Sequence, residues 1–589
     1  MTRRTPIPLL LVAALVAAAL LPSPAARAAS GFTFYGSGYG HGIGMSQWGA
    51  LGLARMGWDH ERIVTHFYRG TQVRRVDDLP ARIRVGVAQG RRSVRLRAVG
   101  GPVRLWVGAP GTGTSVGPIP AGATWKVNVS KRSYAVRTGG GNLVGGRTWG
   151  GPARHLYATY DGARVFVPEA DDTWGRGFAY GRGHLEFNLY GCAERCSERV
   201  IVPLRFEEYL YGLGEVPSSW LEEALRAQAV AARSFAAATI RRQGGLRAGC
   251  NCHLSDGAGD QVYIGWNKEG GPDGDRWVRA VRDTAGAVVT YGGQVVQAFY
   301  AASDGGHSED VEDVWHGGDP DFAVPWLRGV CDPGESTSGN PWTDWEVTFG
   351  ADALTSRLRP YTGAIGTVTR FASIRRGRSG RIVRAVVRGT GGSATIRGSS
   401  LRSALGLRDT RVWINADRTI APGPIRERYD ASMCRPGLPT SRQVAVQGGR
   451  QQLFRRGGIF RNDDRTLTIW LRGPIFREYA AVGTGRGVLG LPTSKVRSLD
   501  GGGAGRAVAC AGCSRISFRG GRIYLKPGVG AHALWGRVLE RYLARGGPGG
   551  ALGFPTSRVG RLPGGGRGAT FEGGRIECPA GADCVVTLA

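Results

Sequence analysis

Beyond its first thirty residues the chain has no apolar run long enough to cross a bilayer, no zinc-finger spacing and no basic helix. Acidic side chains are also scarce, 46 Asp and Glu against 77 Lys and Arg. The first absence excludes a protein held by several membrane spans. The next two remove the usual marks of a nucleic-acid reader. The shortage of acid leaves a formal net charge of +31, carried almost wholly by arginines spread along the sequence. Such charge suits attraction to an anionic cell wall; a high-GC coding sequence rich in arginine and glycine would write the same composition.

The N-terminus speaks to location. Arg3 and Arg4 precede an apolar run from Leu9 to Leu21, and Ala26-Arg27-Ala28 follows as a small-residue cleavage site. This reads as a secretory signal peptide over residues 1–28, with a retained signal anchor as the alternative. No membrane association is expected after cleavage. The ten cysteines of an exported chain then imply up to five disulfides. Cys192/Cys196, Cys250/Cys252, Cys510/Cys513 and Cys578/Cys584 lie close in sequence. A bridge across one residue, Cys250 to Cys252, is expected to be strained, which favours cross-pairing with the Cys192/Cys196 loop.

With 589 residues and 42% hydrophobic content, the chain can build about three or four domains. Residues 29–75 predict a glycine-rich opening and a helical hairpin, capped by Ser46 and Asp59 and closed by Gly57 and Gly70. Alternation at Ile83, Val85, Val87 and at Val103, Leu105, Val107 predicts short antiparallel strands up to Val167. A long helix from about Trp220 to Arg242 should follow, with Ser219 and Glu222 as a capping box. Its stripe Leu221, Leu225, Ala229, Ala232, Ala236, Ile240 should pack on a sheet. A hairpin turned at Gly292-Gly293 and further strands including Ile382 to Val387 complete a core domain over 76–420. Residues 421–436 read as a linker. Over 437–589 one unit recurs: Gly437-Leu438-Pro439-Thr440-Ser441, Gly490-Leu491-Pro492-Thr493-Ser494 and Gly553-Phe554-Pro555-Thr556-Ser557. Each copy is too small to bury a core alone, so neighbours must stack. The fold class expected is α+β, rich in antiparallel sheet around a central helix, followed by a small α+β array.

Three runs bear on chemistry: Gly40-His41-Gly42-Ile43-Gly44-Met45-Ser46-Gln47-Trp48-Gly49-Ala50, Glu215-Val216-Pro217 ahead of the alanine-rich helix, and Ser303-Asp304-Gly305-Gly306. With Tyr209 to Phe235, Asp260-Gln261-Val262-Tyr263 and Pro325-Trp326-Leu327, they resemble the SpoIID/LytB family of bacterial wall proteins. The repeats resemble LGFP repeats of exported actinobacterial wall proteins. The Gly-His-Gly run usually closes the family's domain and here opens it, so the sequence looks circularly permuted. A permuted fold tolerates this when its termini lie close together, and His41 is then expected beside Glu215.

The resemblance implies a secreted, wall-associated lytic transglycosylase acting on peptidoglycan glycan strands, with Glu215 as its single catalytic acid. A glycosidic bond needs a carboxylic acid to protonate the leaving oxygen, and hydrolases normally add a second carboxylate. A transglycosylase dispenses with the second because the sugar's own hydroxyl attacks, and Glu215 has no partner carboxylate in its motif. Opposing this, a helix N-terminus just beyond Glu215 would lower a pKa that an acid needs raised. His41 is expected to contact substrate or aid proton transfer, or else to fix its loop. Gln47, Gln228, Arg233, Gln261, Tyr263 and Ser303 are candidates for holding sugar hydroxyls and acetamido groups, with Gln228 and Arg233 equally suited to be buried ties. Some family members hold zinc with cysteines and a histidine near Cys250-Asn251-Cys252-His253, but Asp260 stands where a further cysteine would be and disulfides compete for the thiols. No cofactor is therefore expected, zinc on Cys250, Cys252 and His253 being the alternative. The expected partners are glycan strands, anionic or glycan wall polymers on the repeats, and an amidase, since LytB-type relatives look like amidase enhancers. That last likeness is the alternative function: a non-catalytic, wall-binding enhancer of an N-acetylmuramoyl-L-alanine amidase.

Overall fold

The computed structural model describes residues 31–170, 175–337, 339–499 and 510–589. The signal peptide expected over residues 1–28 lies outside the described residues. The fold is mixed α+β, with sheets that are mostly antiparallel. Among the described residues no helix is long and apolar enough to cross a membrane.

Phe32 and Phe34 alternate inward along the first strand, Phe32–Gly36. That strand takes the middle of a three-stranded sheet, between Trp345–Phe349 and Val412–Ile414. The opening residues are thereby tied to residues near position 412. The hairpin forms as its caps predict: Ser46 accepts from Gly49 N at the head of helix Gln47–Arg55, and Asp59 from Arg62 N at the head of His60–Phe67.

The alternating apolar residues from Ile83 to Leu204 build a seven-stranded and a five-stranded sheet that share one core. The long helix runs Glu222–Gln243 and ends at Gly244 in the left-handed conformation, φ 64°. The predicted capping box does not form: Leu221 is the N-cap and no side chain caps it. Trp220 N bonds Pro217 O instead, so a turn delays the helix. Nor is only one stripe buried. Leu225, Ala229, Ala232 and Ala236 face the sheet core, while Ala227, Val230 and Ala231 face the opening hairpin. Alanine on both sides lets sheet and hairpin approach one helix closely, which makes it the centre of the assembly.

Residues 421–436, read as a linker, instead hold the helix Pro424–Ala431. Ile425 and Tyr429 bury against Phe454 and Ile459 of the first repeat, and Cys434 is bridged to Cys331. The proline there occupies the first helical turn, where its missing N–H costs nothing. Each repeat is a four-stranded antiparallel sheet. The helix of one copy is pinned to the turn of the next: Tyr479 Oη donates to Gly490 O and Tyr542 Oη to Gly553 O, both at 2.7 Å. One apolar cluster runs continuously from Phe460 to Cys578, as stacking of neighbours requires.

The disulfides correct the expected cross-pairing. Cys250 is joined to Cys252 and Cys192 to Cys196, with Cys510–Cys513 and Cys578–Cys584 completing the local bridges. Asn251 takes φ 53°, a left-handed conformation that asparagine tolerates, and so turns its two flanking cysteines toward one another.

Candidate active site

Glu215 lies in a bend between the short helix Phe206–Tyr211 and the long helix, seven residues ahead of the latter's first turn. The bend is held by strand-like contacts, Gly214 N to Val262 O at 2.8 Å and a bridge between Leu213 and Tyr263. The half-buried carboxyl is ordered from three sides. Oε1 accepts Val262 N at 2.7 Å and the Tyr300 hydroxyl at 3.1 Å, while Gln47 Nε2 approaches Oε2 at 3.4 Å.

Behind these groups a buried polar chain continues. Gln261 Nε2 donates to Tyr300 Oη at 2.7 Å, Tyr209 Oη donates to Gln261 Oε1 at 3.0 Å, and Gln47 Nε2 also reaches Gln228 Oε1 at 3.4 Å. The Lys268 ammonium donates to Val216 O beside the acid. Burial lowers its pKa to about 8 against the pull of Glu215.

Burial pushes the Glu215 pKa up, and Val262 N, Tyr300, Gln47 and Lys268 only partly draw it back. The helix dipole expected to lower it is too distant, because its field fades within the first turn and the helix starts late. Desolvation is therefore the largest influence on this carboxyl and favours its neutral form. With Oε1 accepting two hydrogen bonds, the acidic proton belongs on Oε2. No carboxylate is among the described partners of Glu215.

Known proteins are similar to parts of this chain in sequence. Residues 194–291 match the SpoIID family, described as Stage II sporulation protein, and residues 489–550 match the LGFP repeat. The chain carries a SpoIID domain and an LGFP repeat. It is 26% identical over 222 residues to Stage II sporulation protein D of Bacillus subtilis (strain 168), covering 36% of this chain and 61% of that protein. It is 31% identical over 143 residues to the Amidase enhancer of the same organism, covering 24% of this chain and 17% of that one. The match to these relatives thus spans about three fifths of the first and about one sixth of the second. The LGFP repeat and the disulfides suit the cell exterior.

The fold distributes the remaining sequence candidates unevenly. Gln47, from the opening hairpin, reaches Glu215 directly; His41 does not bond it among the described contacts. The His41 ring lies edge-on to Trp315 and Phe299 and accepts Ile43 N at Nδ1. Burial, then Arg402 and Arg381, lowers its pKa to about 3, so it is a neutral imidazole at neutral pH. Its flanking glycines serve packing. A Cβ on Gly42, at φ +70°, would stand 2.1 Å from the Arg381 guanidinium, and one on Gly40 2.6 Å from the Ala301 side chain. The close approach that these glycines permit is made to the protein itself.

Arg233 is wholly buried and clamps Glu207 through Nε and Nη2 at 2.8 and 2.9 Å, so it ties the helix to the domain beneath the site. Gln228 is buried with its Nε2 unpartnered. Gln261 lies within the polar chain, and Tyr263 is stacked on Tyr209 at 5.3 Å. Ser303 is fully buried and its hydroxyl is spent on Glu335, which also holds Ser46 Oγ at 2.7 Å. Cys250 and Cys252, being bonded to one another, offer no thiolate, and His253 Nδ1 accepts Arg84 N at 3.0 Å. These three residues do not fit a zinc in this form.

Sequence reasoning missed Tyr300, Tyr209 and Lys268. Tyr300 heads the run that ends in Ser303-Asp304-Gly305-Gly306, and that proximity was its only signal. Lys268, in the short helix Trp266–Glu269, gave none. Also unforeseen is a buried carboxyl group set, Asp304, Asp332 and Glu335, whose oxygens lie within 4.8 Å of one another. Burial and then Glu335 raise the Asp304 pKa to about 8, from an ordinary 3.8. As pH rises through that window the unfolded chain has already released the proton that the fold retains, so this group makes stability fall with rising pH. Asp304→Asn, which keeps the acceptor for Gly306 N, should flatten the urea-midpoint profile over that range by up to about 1.4 kcal/mol per pH unit. An unchanged slope would contradict the retained proton.

Proposed function

We propose that this protein is a secreted peptidoglycan lytic transglycosylase in which Glu215 is the single general acid and base, and that the repeats hold it on the wall. The observation that carries the reading is a carboxyl whose pKa is raised by burial, oriented by donors on Oε1, and without a carboxylate partner among the described residues. Oε2 would donate its proton to the glycosidic oxygen as the bond to C1 breaks. The resulting carboxylate would accept the proton of the muramyl C6 hydroxyl as that oxygen closes on C1. The proton count closes without water, and no second carboxylate is needed. The opening hairpin, which supplies Gln47, is on this reading the family's closing element moved to the front of the chain.

A second reading is favoured by the relative named Amidase enhancer: the SpoIID domain binds wall and stimulates a separate N-acetylmuramoyl-L-alanine amidase. Mass spectrometry of purified peptidoglycan, intact and amidase-stripped, after incubation with the protein separates the two. Anhydro-muramyl ends are expected. New reducing ends would indicate a hydrolase, and no new ends on either substrate would transfer the reading to the enhancer.

The hydrogen bond from Tyr300 lowers the Glu215 pKa. Tyr300→Phe should therefore raise it further and move the alkaline limb of kcat/KM to higher pH, with about a tenfold loss of rate from lost orientation. A limb that stays in place, measured over a full pH profile, would remove Tyr300 from the acid's control.

A further inference from the structure

A hollow of about 650 Å³ opens in the first repeat, walled by Arg435, Arg455, Arg456, Arg472 and Arg477 and floored by Trp470 and Phe476. All five arginines are exposed, and both rings are half-buried. No carboxylate lines the hollow. Among the described residues none of the five guanidinium groups has a salt bridge or a hydrogen bond, and the one contact they show is Arg472 over the Trp470 ring at 4.8 Å; the Trp470 indole is fixed by donating to Arg456 O at 3.1 Å.

The repeat fold does not require this charge. Aligned on the Gly-Leu-Pro turn, the Phe-Arg strand end and the following helix, the second copy has Val488, Arg519, Gly520, Trp535 and Glu540 at the five positions. Its single arginine is already engaged by Asp464 and Gln447 O. In the third copy Arg455 is replaced by Glu572. Five like charges gathered around one hollow repel one another in the free protein, and guanidinium forks match the oxyanions of phosphate and carboxylate.

We propose that this hollow is a binding site for an anionic saccharide, its phosphate or carboxylate groups held among the five guanidinium groups and a sugar ring resting against Trp470 and Phe476. The site stands where the core joins the array, because Arg435 follows Cys434 of the Cys331–Cys434 bridge. It rests on the reading of the repeats as the wall-holding part and is independent of the chemistry of Glu215.

The test is titration of the full chain with three probes: poly(glycerol phosphate), polygalacturonate and neutral chitohexaose. At least one polyanion should bind about tenfold or more tighter than the neutral probe, and more weakly as salt is raised. R455Q/R456Q/R477Q should lose about tenfold or more of that affinity with no fall in Tm. R104Q/R359Q/R370Q, which removes equal charge from exposed arginines elsewhere, should lose little. Binding of the phosphate polymer alone assigns the ligand to phosphodiester glycans, and of polygalacturonate alone to uronic-acid glycans; either supports the site. Equal losses in the two triple variants, affinity kept in the first, or a lowered Tm in it would overturn the proposal. Pelleting with purified wall separates it from the reading it rests on. A wild type that binds polyanion through these arginines but does not pellet with wall keeps the site and removes the anchor. A wild type that pellets no better than R455Q/R456Q/R477Q, with unchanged polyanion affinity, keeps the anchor and removes the site.

Discussion

Glu215→Gln is expected to abolish formation of anhydro-muramyl ends, with a loss of about 10²- to 10⁴-fold in kcat, while the protein stays as stable as wild type. The amide retains an oxygen to accept Val262 N and the Tyr300 hydroxyl, so the bend keeps its geometry. What it lacks is a transferable proton. Because burial raises the Glu215 pKa, ionising the acid costs folding free energy above that pKa, and a neutral amide avoids this cost. The variant should therefore show an unfolding midpoint at alkaline pH equal to or above that of wild type. End-group analysis of stripped glycan together with thermal unfolding reads both effects. Persistent turnover would dismiss Glu215 as the acid, and lost turnover with a lowered midpoint would show a structural role.

The second large effect is expected at Arg381, which no sequence motif singled out. Its buried guanidinium pairs with Asp409 at 2.7 Å and donates to His307 O at 2.7 Å, Asp304 O at 3.0 Å and Ser379 Oγ at 3.0 Å. It also forms the surface on which Gly42 lies. Arg381→Met should destabilise the fold by about 3–5 kcal/mol, since it leaves a buried carboxylate and two carbonyls without their partner. The double variant Arg381→Met/Asp409→Leu should recover part of the loss by removing the stranded charge. Urea unfolding measures both. A loss below about 1 kcal/mol in the single variant would mean that solvent or another cation satisfies Asp409. Because Arg381 is among the charges that hold the His41 pKa down, the same substitution should raise the His41 pKa, observable as a shift in its imidazole titration by NMR.

Local signals were legible where local physics decides. The Ser46 and Asp59 caps, the alternating strands after Arg82, the glycine pair that turns the 287–295 hairpin and the repeated Gly-Leu-Pro turn all describe bonds made within a few residues. The capping box at Ser219 failed because two patterns compete there, and the turn from Pro217 to Trp220 forms in preference. Residues 421–436 looked like a linker since their prolines and glycine break periodicity, while the partners that bury Ile425 and Tyr429 lie in Phe454 and Ile459, about thirty residues on. The cysteine pairing turned on one backbone angle at Asn251.

The sequence by itself determined the mixed α+β class, the run of candidate motifs, the lack of a carboxylate paired with Glu215 in Glu215-Val216-Pro217, and the count of repeats. Each of these is written in neighbouring residues or in composition. Only the tertiary structure decided that Gln47 and Tyr300 meet Glu215, that Lys268 stands beside it, that Ser303 and Arg233 are buried ties, and that five arginines from three stretches of chain line one hollow. Contacts between residues 85 and 168 positions apart, as from Tyr300 and Gln47 to Glu215, leave no periodic trace in a sequence. The desolvation that sets the acid's pKa depends on everything packed around it.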